Sequence, residues 1–127
     1  MAMMSRFSYQ EKTTTSASVA ECVEAGRRTL TDLGAGPRPE GAGLVGHLGS
    51  QAKMRLIGGI FGSRESYPVR IAVQVEDTGS QRTVLVDAAE NVGIGWLIGM
   101  EGRLRERCQQ VSLQVLEGIE RRLATAR

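Results

Sequence analysis

The stretch VRIAVQVEDTGSQRTVLVDA, residues 69–88, decides the fold. Val69, Ile71, Val73 and Val75 alternate with Arg70, Ala72, Gln74 and Glu76, a period of two that sends each set to its own face of a strand. From Arg82 to Ala88 the pattern repeats, with Val84, Val86 and Ala88 on one face. The short turn Asp77-Thr78-Gly79-Ser80-Gln81 between the two runs makes them an antiparallel hairpin. One apolar face on each strand calls for a covering layer of helices.

Toward the N-terminus, residues 6–15 read as a strand, since Phe7 and Tyr9 alternate with Ser8 and Gln10 ahead of a Thr13-Thr14-Thr15 run. Ser18 and Glu21 have the capping-box spacing that opens a helix. Val19, Val23, Gly26, Leu30 and Leu33 then form a helical stripe, and Gly34 stands where a left-handed C-cap belongs. Residues 34–43, GAGPRPEGAG, read as an irregular turn. Leu44 to Leu48 and Ala52 to Ile57 read as short strands, with Gly58-Gly59 breaking the second and residues 62–68 forming a loop.

Toward the C-terminus, a glycine-rich bridge (93–102) leads into a helix from about Gly102 to Ala124, with a stripe of Leu104, Cys108, Val111, Val115, Ile119 and Leu123. Its length is on the order of 33 Å, enough to cross a five-stranded sheet. Gly118 inside it is disfavoured by ~1 kcal/mol relative to Ala, which implies close approach of another backbone.

The expected architecture is a single α+β domain over residues 1–127 with element order β-α-β-β-β-β-α. A curved antiparallel sheet carries two helices packed on one face, the C-terminal one long. In element order this resembles the helix-grip group (START and Bet v 1-like) and the TATA-binding-protein-like repeat. The helix-grip resemblance implies a hydrophobic ligand held between the sheet and the C-terminal helix.

Composition bounds the remaining possibilities. The 127 residues are 41% hydrophobic and 24% charged, enough to fill a core without a disulfide or metal staple. A net charge of +2 with no dense basic run argues against a dedicated nucleic-acid module. The longest apolar run, Ile94 to Met100, falls far short of the ~20 residues of a membrane span. Met1 to Gln10 holds no apolar run of signal-peptide length, so the expected location is cytoplasmic. Cys22 and Cys108 lie in helical segments and read as small buried hydrophobes of a reducing compartment.

Three groups of residues are candidates for function. The glycines of residues 93–99 resemble a dinucleotide loop, but the chain ends in the following helix without the parallel strand that a dinucleotide fold requires. The same segment instead offers Ile94, Trp96, Leu97, Ile98 and Met100, and a second glycine-interrupted segment offers Ile57, Ile60 and Phe61. Apolar loops 56–62 and 93–100 suit a protein interface or the mouth of a ligand pocket, and the second has Arg103, Arg105 and Arg107 beside it for contact with a membrane surface. The plainer alternative is that both fold back and complete the core.

A polar sheet face is the other candidate. Arg70, Gln74 and Glu76 line up there, and His47, Lys53 and Arg55 join them from neighbouring strands if the register allows. His47, Lys53, Arg55 and Arg70, with Arg103 and Arg107 at the start of the last helix, are the candidate anion contacts. The face supplies none of the stacking aromatics of a nucleic-acid sheet.

His47 is the sole histidine, nothing has metal-ligand spacing, and Asp32, Asp77 and Asp87 are not paired for acid–base work, so no catalytic residue, metal or cofactor is assigned. The expected function is a non-catalytic binding or assembly module, engaging a protein partner or a second copy through loops 56–62 and 93–100. A carrier or sensor of a small hydrophobic ligand is the first alternative. A small enzyme on the same cavity, with His47 or a carboxylate facing inward, is the second.

Overall fold

The computed structural model describes residues 8–48, 69–90 and 101–125. Chain order is β1 (Ser8–Thr15), α1 (Val19–Asp32), β2 (Arg38–Glu40), β3 (Gly43–Leu48), β4 (Val69–Asp77), β5 (Arg82–Glu90) and α2 (Glu101–Thr125). Among the described residues the elements follow the expected order β-α-β-β-β-β-α, an α+β fold with a long C-terminal helix.

Local chemistry explains the element boundaries. Ser18 caps α1 reciprocally: its Oγ accepts from the Glu21 backbone N–H at 3.1 Å, and the Glu21 carboxylate accepts from the Ser18 N–H at 3.0 Å. Gly34 ends the helix with φ +79°. At the hairpin tip, Asp77 Oδ1 accepts from the Gly79 N–H at 3.0 Å, and Gly79 takes φ +99°.

The buried face of α1 is rotated from the expected stripe. Cys22, Ala25, Gly26, Thr29 and Leu30 are buried, while Val19 is exposed and Val23 and Leu33 are only partly covered. Small side chains, invisible to a search for large apolar residues, mark the middle of this helix's contact.

The sheet is antiparallel and open, in the order β1-β5-β4-β3-β2. One strand was not expected: Arg38–Glu40, inside the glycine- and proline-rich stretch read as irregular, pairs with β3. Proline is tolerated in β2 because the strand lies at a sheet edge. The expected strand at 52–57 lies outside the described residues.

Both helices pack on one face of the sheet. α1 rests on β3 and β4, α2 on β1 and β5, and the helices touch each other. The core between the layers joins Val69, Ile71, Val73, Val84, Val86 and Ala88 from the sheet to Leu30, Val111, Val115 and Ile119 from the helices. Each large side chain there contributes ~1.5–3 kcal/mol by leaving water. Gly118 marks a close approach, though to a side chain rather than a backbone. A Cβ added there would lie 2.7 Å from Thr29 Cγ2 on α1. Arg122 links the helices nearby, bonding Asp32 and, at 3.3 Å, the Gly118 carbonyl.

Candidate functional site

Register decides which residues can act together. Leu48 pairs with Val69, and Val69 pairs with Glu90, so three adjacent strands end in one row. Segments 49–68 and 91–100 therefore join the described fold at the same end of the sheet. Ile57, Ile60, Phe61, Ile94, Trp96, Leu97, Ile98 and Met100, with Lys53 and Arg55, lie outside the described residues.

One row inward, His47 stands directly opposite Arg70, the cross-strand neighbour that the polar-face expectation required. No described helix covers this face. His47 is exposed, and its backbone N–H donates to the Ala35 carbonyl at 2.8 Å. Arg70 Nη2 reaches both carboxylate oxygens of Glu40, at 3.0 and 3.1 Å. That ion pair joins β4 to β2 diagonally, and the register puts Val45 of β3 beneath the line between them. Val45, on the face without helices, is accordingly only 8% exposed. The aliphatic stem of an arginine covers apolar surface while its head stays paired.

Asp87 lies on this same face, one strand and two rows away from Arg70. Its Oδ1 is buried and has no hydrogen-bond partner among the described residues. Burial pushes its carboxyl above the ordinary aspartate range, and the Arg70 charge opposes that shift. Arg70 thus stands between two carboxylates and bonds one of them. Glu40 and Asp87 were the members missed in the sequence. Asp87 was legible in principle, since it alternates with Val86 and Ala88 and so shares the Arg70 face. Glu40 was hidden in the stretch read as a turn.

Arg107 does not join this face. Arg107, proposed from sequence as an anion contact, is 9% exposed on α2 in the opposite layer. Buried helix positions recur there (Arg107, Cys108, Val111), which draws the arginine stem inward. Arg103 belongs to α2, and its side chain lies outside the described residues.

Neither cysteine is in a disulfide and both are fully buried on the helices, whereas His47 is exposed on the sheet's far face. The structure therefore forms no Cys–His pair. Burial, chiefly, raises the Cys22 thiol above its usual range; Glu21 adds to the shift and Arg82 opposes it. Among the described residues no group of three or more His, Cys, Asp or Glu could hold a metal ion. No described helix is long and apolar enough to cross a membrane.

Where a helix-grip ligand would sit, Val111, Val115 and Ile119 are fully buried against the sheet. Open grooves occur instead at the margins. One of about 520 Å³ runs between the helices past Thr29, Asp32, Gly118 and Arg122. Another of about 380 Å³ lies beside Thr13, Thr15, Gln81 and Glu120. No known protein family, curated protein or solved structure matches the chain.

Proposed function

We propose that the protein is a non-catalytic binding or assembly module whose apolar segments 56–62 and 93–100 engage a second copy or a partner protein. The observation that supports this reading is the shared row of Leu48, Val69 and Glu90. Adjacent strands are ~4.8 Å apart, so the two segments leave the sheet within ~10 Å of one another. That proximity lets residues far apart in sequence contribute to one surface. Trp96 and Phe61 are the proposed anchors, because buried aromatic residues dominate interface energetics.

A hot-spot aromatic truncated to alanine costs ~2 kcal/mol or more, roughly a thirtyfold loss of affinity. Trp96→Ala is therefore expected to shift the assembled species toward monomer in light scattering at matched concentration. Arg105→Ala should leave the mass profile close to wild type. Identical profiles for wild type and Trp96→Ala, both monomeric at high concentration, would end the self-association form of the reading. Native mass spectrometry of protein from its own host tests the remainder. A co-purifying protein partner supports the module, and a bound small molecule would favour the carrier alternative.

A further inference from the structure

We propose that β1 is an assembly edge, pairing antiparallel with β1 of a second copy about a two-fold axis at Thr13 to give one ten-stranded sheet. Its residues are other than those of segments 56–62 and 93–100.

The two edges of the described sheet differ. β2 has three residues, including Pro39 and the charged Arg38 and Glu40, features that blunt an edge against pairing. β1 has eight residues, no proline and three consecutive threonines.

The hairpin fixes which groups β1 presents. The Thr78 N–H donates to the Gln81 carbonyl at 2.9 Å, which makes that pair hydrogen-bonded and Asp77 with Arg82 the following non-bonded pair. Alternation along β5 then turns the backbone groups of Val84, Val86 and Ala88 toward β1, where they meet Thr13, Glu11 and Tyr9. The N–H and C=O groups of Gln10, Lys12 and Thr14 consequently face the side of β1 that no described strand pairs. The same alternation turns the His47 N–H toward Ala35, as observed.

Charge selects the register. A two-fold axis perpendicular to the sheet, keeping the helices of both copies on one side, requires paired positions of equal parity. The longest such overlaps, centred on Glu11 or Lys12, set like charges opposite each other, which is destabilising. Centring on Thr13 pairs Thr13 with itself, Lys12 with Thr14 and Glu11 with Thr15. It also aligns Glu11 with Arg82 of the second copy, one strand beyond Thr15. Glu40 and Arg70 already bridge two strands within this fold, on a diagonal. Arg82 Nε already lies 3.5 Å from Asp77 Oδ1 of its own chain, so Glu11 of the second copy would join that ion pair as a second carboxylate.

The test combines sedimentation with cysteine scanning of full-length protein. At tens of micromolar, wild type should sediment at twice its 13.7 kDa monomer mass. Lys12→Pro removes an outward N–H while sparing the ladder to β5, and should weaken the dimer at least tenfold with unchanged circular dichroism. Thr13→Cys places two cysteines at a non-hydrogen-bonded pair, whose ~4.5 Å Cα spacing suits a disulfide. Mild oxidation should convert most of it to covalent dimer and leave Lys12→Cys and Thr14→Cys mainly uncrosslinked; native Cys22 and Cys108 are buried. A monomeric wild type, a folded Lys12→Pro that dimerises like wild type, or equal crosslinking at all three positions overturns the proposal. Loss of dimer in Trp96→Ala with Lys12→Pro unaffected would overturn the β1 edge alone.

Discussion

Gly118→Ala puts two physical effects of similar size in opposition, and the structure says which wins. In an open helix interior the change would stabilise by ~1 kcal/mol, through backbone entropy and propensity. Here the added Cβ would stand 2.7 Å from Thr29 Cγ2 and 3.3 Å from its Oγ1. Thr29 is buried, and its hydroxyl donates to the Ala25 carbonyl at 2.8 Å, so the side chain cannot turn away without losing that bond. Overpacking of this kind costs ~1–3 kcal/mol. The net expectation is destabilisation of about 1 kcal/mol, or a fall of ~4 °C in Tm for a chain of this size. Thr29→Ser removes the obstructing methyl and keeps the hydroxyl. In that background Gly118→Ala should become stabilising by ~1 kcal/mol, giving a coupling of ~2 kcal/mol in a double-mutant cycle. Urea titrations of the four proteins by circular dichroism measure it. A Gly118→Ala protein more stable than wild type, or a cycle additive within ~0.5 kcal/mol, would refute the packing argument.

Other outcomes follow from the same coordinates. Gly43→Ala should be far more damaging than Gly26→Ala: a Cβ at Gly43 would overlap the Val73 backbone oxygen, whereas at Gly26 it meets only the Val73 side chain, at 3.3 Å. Thermal melts should separate the two by more than ~2 kcal/mol. Native protein should leave Cys22 and Cys108 unreactive toward a thiol reagent at neutral pH, and denaturant should release both; rapid native labelling would contradict their burial. Asp87 is raised in the folded state, so the native protein holds its proton at pH values where the unfolded chain has lost it. Its contribution to stability therefore declines as pH rises from the ordinary aspartate value through the raised one. Denaturant titrations across that range should show Asp87→Asn gaining on wild type with rising pH, and Arg70→Ala losing more steeply; a gap that narrows would contradict the sign.

Most of the fold could be read from local pattern because its central strands are amphipathic in the simplest way. Val69, Ile71 and Val73 face the helices together with Val84, Val86 and Ala88, as alternation alone requires. The capping box at Ser18 fixed the start of α1, and the stripe through Val111, Val115 and Ile119 its partner layer. Legibility failed where contacts rest on small residues or on an edge. Ala25 and Thr29 are buried on α1 outside the expected stripe and carry little hydrophobic signal, whereas Gly26 and Leu30 lay within it. β2 needs only three backbone pairings, so its Gly and Pro neighbours outweighed it in any propensity argument.

The polar face shows why a site is harder to read than a core. Burial is periodic, so it leaves a trace along one strand. A site depends on register between strands, and register belongs to the assembled sheet. Arg70 and Glu40 are 30 residues apart, and their pairing requires β2 to exist, β3 to lie between, and a four-row diagonal. The same dependence makes the face sensitive. A one-residue slip of β3 against β4 would turn His47 toward the helices and Leu48 away from them. The buried Val69, Ile71 and Val73 oppose such a slip, so the hydrophobic pattern that specifies the core also keeps His47 opposite Arg70.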